Sequence, residues 1–233
     1  MNLKLFPSIP RAPLVKPFHV PLSLVHLDDL IDDLWDMTMQ HIAPHIDGVN
    51  HVGRIADLAE VDTTLVQQAV RQLLRFGLVV LLDIFQYNAI YAPTPELGGL
   101  LFDETMQEEC GRFASTGDDT VSNVTIISLF TSLGHGATLN SWALDRQRSL
   151  QSVDVRRLIT AGLLRGIIYR VHRYAMKIPS GSDAAAPISQ DRKLDRFLDG
   201  THCFDEICTT LSITPSDLLT RLRGRKDVYI FER

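Results

Sequence analysis

The chain is short of cysteine, of positive charge and of long apolar runs, and each shortage removes a class of function. Its three cysteines, Cys110, Cys203 and Cys208, form no Cys-x-x-Cys pair. Neither a zinc ribbon nor a dithiol redox motif is spelled out, and reduced thiols in a cytosolic protein are the plain reading. Lys and Arg total 23 against 28 Asp and Glu, a formal charge of −5, and the isoelectric point is about 5.9. A general nucleic-acid binder would need a basic surface to displace counterions from phosphate. No apolar run approaches the roughly 20 residues that span a bilayer. Lys4 near the N-terminus is followed by no signal core, because Pro7, Pro10 and Pro13 interrupt it. There is no Gly-x-x-x-x-Gly-Lys-Ser/Thr phosphate loop and no Gly-x-Gly-x-x-Gly.

What is present is apolar content of 45% over 233 residues. That suffices for packed cores in about two domains or several small ones. Charge is placed unevenly. Asp28, Asp29, Asp32, Asp33 and Asp36 make an acidic face near the start. Arg146, Arg148, Arg156, Arg157, Arg165, Arg170, Arg173 and Lys177 make a basic stretch later. Such segregation reads either as two solvated faces or as a surface that meets others by complementary charge.

Periodicity predicts a mainly α chain with small β wings, an α+β protein of tandem winged-helix-like units. Residues 1–24 read as a short alternating strand, Leu3-Lys4-Leu5-Phe6, and a proline-rich linker. Residues 25–95 read as a winged helix. A first helix is expected from near Asp28 to Pro44, carrying Leu27, Leu30, Ile31, Leu34, Trp35, Thr38 and Ile42 at helical spacing. A turn at Asp47-Gly48 follows, then a short second helix with Val52, Ile55, Ala56 and Ala59. The third helix buries Val66, Ala69, Val70, Leu73 and Leu74. It is capped either by a Thr64/Gln67 capping box or by Asp62, and is closed by Gly77. Leu78 to Leu82 and residues 87–92 are expected to pair as strand and return strand. Residues 96–122 hold a helix and a loop, 123–179 a second copy of the pattern, and 180–193 a Ser/Ala/Pro-rich linker. Residues 194–233 hold a third copy.

The repetition rests on particular residues. Asp199-Gly200 matches Asp47-Gly48, Ile207 matches Ile55 and Ile213 matches Val61 at one fixed offset. Leu73-Leu74-Arg75-Phe76-Gly77-Leu78-Val79 and Leu163-Leu164-Arg165-Gly166-Ile167-Ile168 look like one junction used twice. A period of this kind signals an array of one unit.

No catalytic constellation emerges. His41 and His45 are four apart, but a zinc site would want further ligands and Pro44 disturbs that turn. His202 and Cys203 are adjacent, so their side chains diverge. No catalytic residue, metal or cofactor is assigned. The third helix offers Gln67, Gln68, Arg71, Gln72 and Arg75 to a DNA groove, while Asp57, Glu60 and Asp62 beside it would repel phosphate. A winged-helix DNA-binding transcriptional regulator is therefore the alternative to a protein–protein scaffold. For the scaffold, Trp35, Tyr87 and Tyr91 are candidate aromatic anchors.

One family unites these residues. The string Trp35-Asp36-x-Thr38-x-Gln40-x-Ile42-x-Pro44-x-Ile46-Asp47-Gly48 is followed by Phe85-Gln86-Tyr87 and Tyr91-x-Pro93-Thr94-Pro95. Gln107-Glu108-Glu109-Cys110 and Phe204-Asp205-Glu206-Ile207-Cys208 come after in the same order. Together they resemble the nitrogen permease regulator 2 family over nearly the whole chain. The resemblance implies a subunit of the complex that restrains TOR complex 1 when amino acids or nitrogen are scarce. Its expected companions are a nitrogen permease regulator 3-type subunit and a larger third subunit. The complex activates Rag-type GTPases' hydrolysis at the vacuole or lysosome surface, so this chain would be cytoplasmic and peripheral, with no transmembrane segment. In that family an N-terminal longin domain is expected to supply the arginine finger of phosphoryl transfer. Residues 2–6 resemble the tail of that domain, and no arginine here matches its motif. The expectation is a non-enzymatic scaffold.

Overall fold

The computed structural model describes residues 12–32, 35–117, 121–178, 192–225 and 227–233. The expected strand at residues 3–6 and the linker to residue 191 lie outside these. The chain is an α+β protein of short helices with small antiparallel sheets. It divides into two compact units. One contains the residues up to Ile84 together with Ala175–Tyr229, the other Phe85–Tyr174 with Ile230–Arg233.

In the first unit β1 (Val20–Ser23) leads into a 3-10 turn (Leu27–Asp29). Then follow α1 (Met37–Ile42), a second 3-10 turn (Ala43–His45), α2 (Val52–Ala59), α3 (Thr63–Arg75) and β2 (Val79–Leu82). The continuous helix expected from Asp28 does not form. Leu34 and Asp33 are outside the described residues, and α1 starts afresh after Asp36, whose extended backbone (φ −57°, ψ 134°) makes it the N-cap. The Asp36 carbonyl accepts the Met39 and Gln40 amides at 2.8 and 3.1 Å. Its side chain makes no cap bond, so the helix start rests on the backbone conformation at Asp36. At α3 the cap is Asp62, not the Thr64/Gln67 box. Its carboxylate accepts the Thr64 amide and hydroxyl, both at 2.7 Å, and these bonds hold it below the usual carboxylate range. Gln67 instead donates to the Val15 carbonyl at 2.9 Å, tying down the N-terminal stretch.

The strand pairing also differs from expectation. β2 does not pair with its sequence successor β3 (Ile90–Pro93). It pairs antiparallel with β1, Val20 facing Leu82 and Ser23 facing Val79. The Leu24 amide bonds the Leu78 carbonyl at 2.9 Å. Ladder alternation then puts Pro21 and Leu81 in a non-hydrogen-bonded pair, so the proline costs no bond to β2. β1 was read as linker because it holds a proline among prolines.

The rest of this unit, Ala175–Tyr229, takes in most of the expected third copy at 194–233. It holds part of β5 (Arg173–Lys177), α9 (Arg192–Asp195), β6 (Asp199–Cys203), α10 (Phe204–Leu211) and α11 (Pro215–Arg223), then enters β7 (Val228–Glu232). The strand order of this sheet is β6-β5-β7. From the Gly200 turn to the cap of α11 the backbone repeats the first copy at one offset, although β6 has no strand counterpart there and α11 is shorter than α3. Gly48 and Gly200 have φ of 73° and 82°, and Glu60 and Ser212, the C-caps of α2 and α10, have φ of 55° and 53°. Asp62 and Thr214 cap the next helices. The Val61 amide returns to Ala56 and the Ile213 amide to Cys208, both at 3.1 Å. Ile42, Val52, Ile55, Val66, Val70 and Leu73 form one fully buried core of the unit, and Ile207, Leu218, Leu222 and Leu194 form another. The Lys16 ammonium reaches the Glu206 carboxylate at 3.1 Å.

In the second unit β3 pairs with β4 (Ile168–Val171), Ile90 facing Val171 and Pro93 facing Ile168. Its helices are α4 (Leu97–Phe102), α5 (Glu104–Ala114), α6 (Asn123–Thr131), α7 (Leu139–Asp145) and α8 (Val155–Leu164). Asp154 caps α8 through the Arg156 and Arg157 amides at 2.9 and 3.2 Å. After α8 the Gly166 and Ile167 amides bond the Leu163 and Gly162 carbonyls, as Gly77 and Leu78 bond Leu74 and Leu73 after α3. Phe130, Ile126, Leu129, Leu158, Ile159 and Ile167 are fully buried. The Trp142 indole donates to the Ser132 hydroxyl at 2.9 Å, which satisfies its only polar atom.

The matched glycines separate backbone strain from steric room. A Cβ on Gly48 would lie 2.5 Å from Leu22 Cδ1, whereas one on Gly200 would meet Met176 at 3.5 Å. Gly200→Ala is expected to cost about 1–2 kcal/mol from its left-handed backbone alone. Gly48→Ala is expected to cost more, because Leu22 must also shift. Urea unfolding of the two variants measures the difference, and equal losses would contradict it.

Candidate partner-binding surface

The string from Trp35 to Gly48 holds α1, the 3-10 turn and the turn after it, with internal bonds. Trp35 is half-buried and packs on the first core. Gln40 donates its side-chain amide to the Asp32 and Trp35 carbonyls at 3.1 and 3.2 Å, closing the corner before α1. Thr38 is half-buried on α1. Pro44 starts the 3-10 turn, where its missing N–H is no loss. The Asp47 carboxylate accepts the Val49 and Asn50 amides, both at 2.8 Å. Gly48 then takes the left-handed conformation that the turn requires. Asp36, Thr38, Gln40, Pro44, Asp47 and Gly48 therefore build a corner of the first unit.

Beside that corner lies a cleft of about 390 Å³, with Leu24, Val25, His26, Pro44, Ile46 and Asp47 among its lining. Leu24 and Val25 are exposed. Walls of this kind can take up apolar side chains.

In the second unit the aromatic string divides. Tyr87 is 52% exposed, edge-on to Phe85 at 5.2 Å, and the Arg156 guanidinium lies over Phe85 at 5.0 Å. The Tyr87 and Ala89 carbonyls accept the Asn140 and Leu139 amides, both at 2.8 Å, supplying partners for the free N–H groups at the start of α7. The Gln86 carbonyl accepts the Ala89 amide. Tyr91 is only 2% exposed and lies in the core. It is no surface anchor of this chain: Ile90, Tyr91 and Ala92 are all buried, so β3 is covered on both faces. The Thr94 amide bonds the Ile167 carbonyl, which puts Pro93 in a non-hydrogen-bonded pair, its nitrogen facing away from β4. The Pro95 carbonyl accepts the Gly98 amide and opens α4. Within this unit Tyr87 and Tyr91 do not form one patch, the first being exposed and the second buried.

The chemistry of these surfaces is that of contact. Among the described residues no group of three or more His, Cys, Asp or Glu is placed to hold a metal ion. Burial pushes the Cys208 thiol up to about 12, with Asp205 and Cys203 adding to the effect, and burial raises Cys110 as well. Neither is a thiolate nucleophile at neutral pH. The basic stretch is partly met by its own unit, with Arg165 paired to Glu109 and Arg173 to Glu232 at 3.0 Å.

A family profile described as Nitrogen permease regulator 2 matches residues 1–123 and 114–226. A Schizosaccharomyces pombe protein, "Nitrogen permease regulator 2 homolog", is 39% identical over 97% of this chain and 56% of its own length. The Drosophila melanogaster "GATOR complex protein NPRL2" is 33% identical over 91% of this chain and 50% of its own. The Saccharomyces cerevisiae "Nitrogen permease regulator 2" is 37% identical over 58% of this chain and 22% of its own. The chain thus spans about half the length or less of the curated relatives it matches.

The two tyrosines supply a direct check on which aromatic is core. Tyr91→Ala is expected to cost about 3–5 kcal/mol, as for a large buried ring. Tyr87→Ala is expected to fall within about 0.5–1 kcal/mol, since half its surface already faces solvent. Denaturant titration of both variants tests this, and the reverse order would contradict the placement.

Proposed function

The chain belongs to the nitrogen permease regulator 2 family, and from that membership we propose that it is a non-catalytic assembly subunit of a Rag-GTPase-activating complex. In that role it binds a nitrogen permease regulator 3-type subunit and a larger third subunit, and it meets Rag-type GTPases indirectly. The complex would inhibit TOR complex 1 when amino acids or nitrogen are scarce, and would bring the chain to the vacuole or lysosome membrane as a peripheral protein. The naming of the fly relative as a GATOR complex protein supports assembly into a multi-subunit complex. No helix among the described residues is long and apolar enough to cross a membrane.

The observation that carries this reading is how the family's residues are used. Asp36, Gln40, Pro44, Asp47, Gly48, Gln86, Pro93 and Pro95 serve turns, caps and strand ends. Residues spent on shape are those of a scaffold, whose function is the surface that the shape presents. We read the three repeats as winged-helix-like units in that service. The DNA-binding alternative is the weaker one. Gln67 of α3 is engaged with Val15, and Asp57, Glu60 and Asp62 flank the helix that would face phosphate.

Co-expression with a nitrogen permease regulator 3-type subunit tests the reading. The expected result is a stable stoichiometric complex on size exclusion that persists at about 0.5 M salt, since apolar burial is little screened while phosphate contacts are lost. No complex, together with salt-sensitive binding to duplex DNA, would contradict it.

A further inference from the structure

Phe102 is 90% exposed, more than any other large apolar side chain among the described residues. The backbone that carries it is fastened on both sides. α4 ends at Phe102, and Asp103 with extended backbone (φ −106°, ψ 95°) turns the chain into α5. The Asp103 amide bonds the Gly99 carbonyl at 3.2 Å, and its carboxylate caps α5 through the Met106 amide at 3.1 Å. Gln107, only 5% exposed, sends its side-chain amide to the Leu100 and Leu101 carbonyls at 2.7 and 3.3 Å. Helix ends leave such carbonyls unpaired. A buried glutamine closes this one, and Leu100 beneath is fully buried. Both sides of the corner are fastened, and Leu101, 45% exposed, stands beside Phe102.

The charge around the corner has one sign. From Glu96 to Glu109 the chain carries Glu96, Asp103, Glu104, Glu108 and Glu109 and no Lys or Arg. Glu109 pairs with Arg165. Glu96, Asp103, Glu104 and Glu108 are exposed.

We propose that the α4–α5 corner is a docking knob: Phe102, with Leu101, inserts into an apolar pocket of a partner polypeptide whose rim carries Lys or Arg. The proposal rests on the assembly reading above and names the surface that serves it. A backbone corner already fastened in the free chain presents the ring at a fixed place and need not be ordered on binding, which suits Phe102 to be an anchor. Carboxylates around it match a cationic rim and speed encounter. They disfavour the other apolar acceptor, an anionic membrane, whose surface would repel them.

The test is a titration of the wild-type chain and two variants against the companion subunit, with affinity and association rate measured at two salt concentrations. Phe102→Ala is expected to weaken binding by about tenfold or more, with an unchanged melting temperature because the ring is exposed. Glu104→Lys with Glu108→Lys is expected to slow association and reduce its salt dependence. Unchanged affinity of Phe102→Ala for the companion would overturn the knob and leave the assembly reading standing. Absence of a wild-type complex would overturn both. Phe102-dependent binding to phosphatidylserine vesicles, or Phe102-dependent self-association, would also overturn it by naming a different acceptor.

Discussion

Short helices and strands bury little apolar surface by themselves, and the architecture follows from that constraint. Two of the copies gain by packing in one unit, each around its own core, and the other by borrowing a strand. The first and third copies fall in one compact unit, with Lys16 bonded to Glu206 within it. The middle copy completes its two-stranded sheet by taking β3 as the partner of β4. Isolated two-stranded ribbons are marginal in water, so each ribbon is packed on helices.

That constraint explains which parts of the fold were legible in sequence. Helices α3 and α8, their aspartate caps and the glycines after them follow from local chemistry, and local chemistry is written in neighbouring residues. The offset linking Asp47-Gly48 to Asp199-Gly200 reappears as matched left-handed turns, because a turn of that conformation constrains residue type strongly. Strand partners were not legible. β2 and β3 are neighbours in sequence, and a hairpin was the economical guess, but pairing is decided by which strand the core needs. Pro21 disguised β1, although the proline occupies a position where no ladder bond is asked of it.

The candidate surface was legible in part. The aromatic string from Phe85 to Tyr91 was visible, but which of its rings face outward depends on long-range packing: Tyr87 lies before the strand and is exposed, while Tyr91 sits on β3, which is buried on both faces. Trp35 packs on a core. The family residues marked the corner at 35–48 correctly as one feature while concealing that its role is geometric. Phe102 gave no sequence signal, because an exposed phenylalanine and a buried one are written alike. Only the corner fastened by Asp103 and Gln107 distinguishes it.

On the proposed reading, a scaffold made of turns and small cores would contribute to a GTPase-activating complex by position. The most direct measurement is single-turnover GTP hydrolysis by a Rag-type GTPase with this chain alone, added in excess. The account predicts the unstimulated rate. Stimulation by the chain alone that disappears on substituting one of its arginines would contradict the account, because the chain would then supply the finger itself.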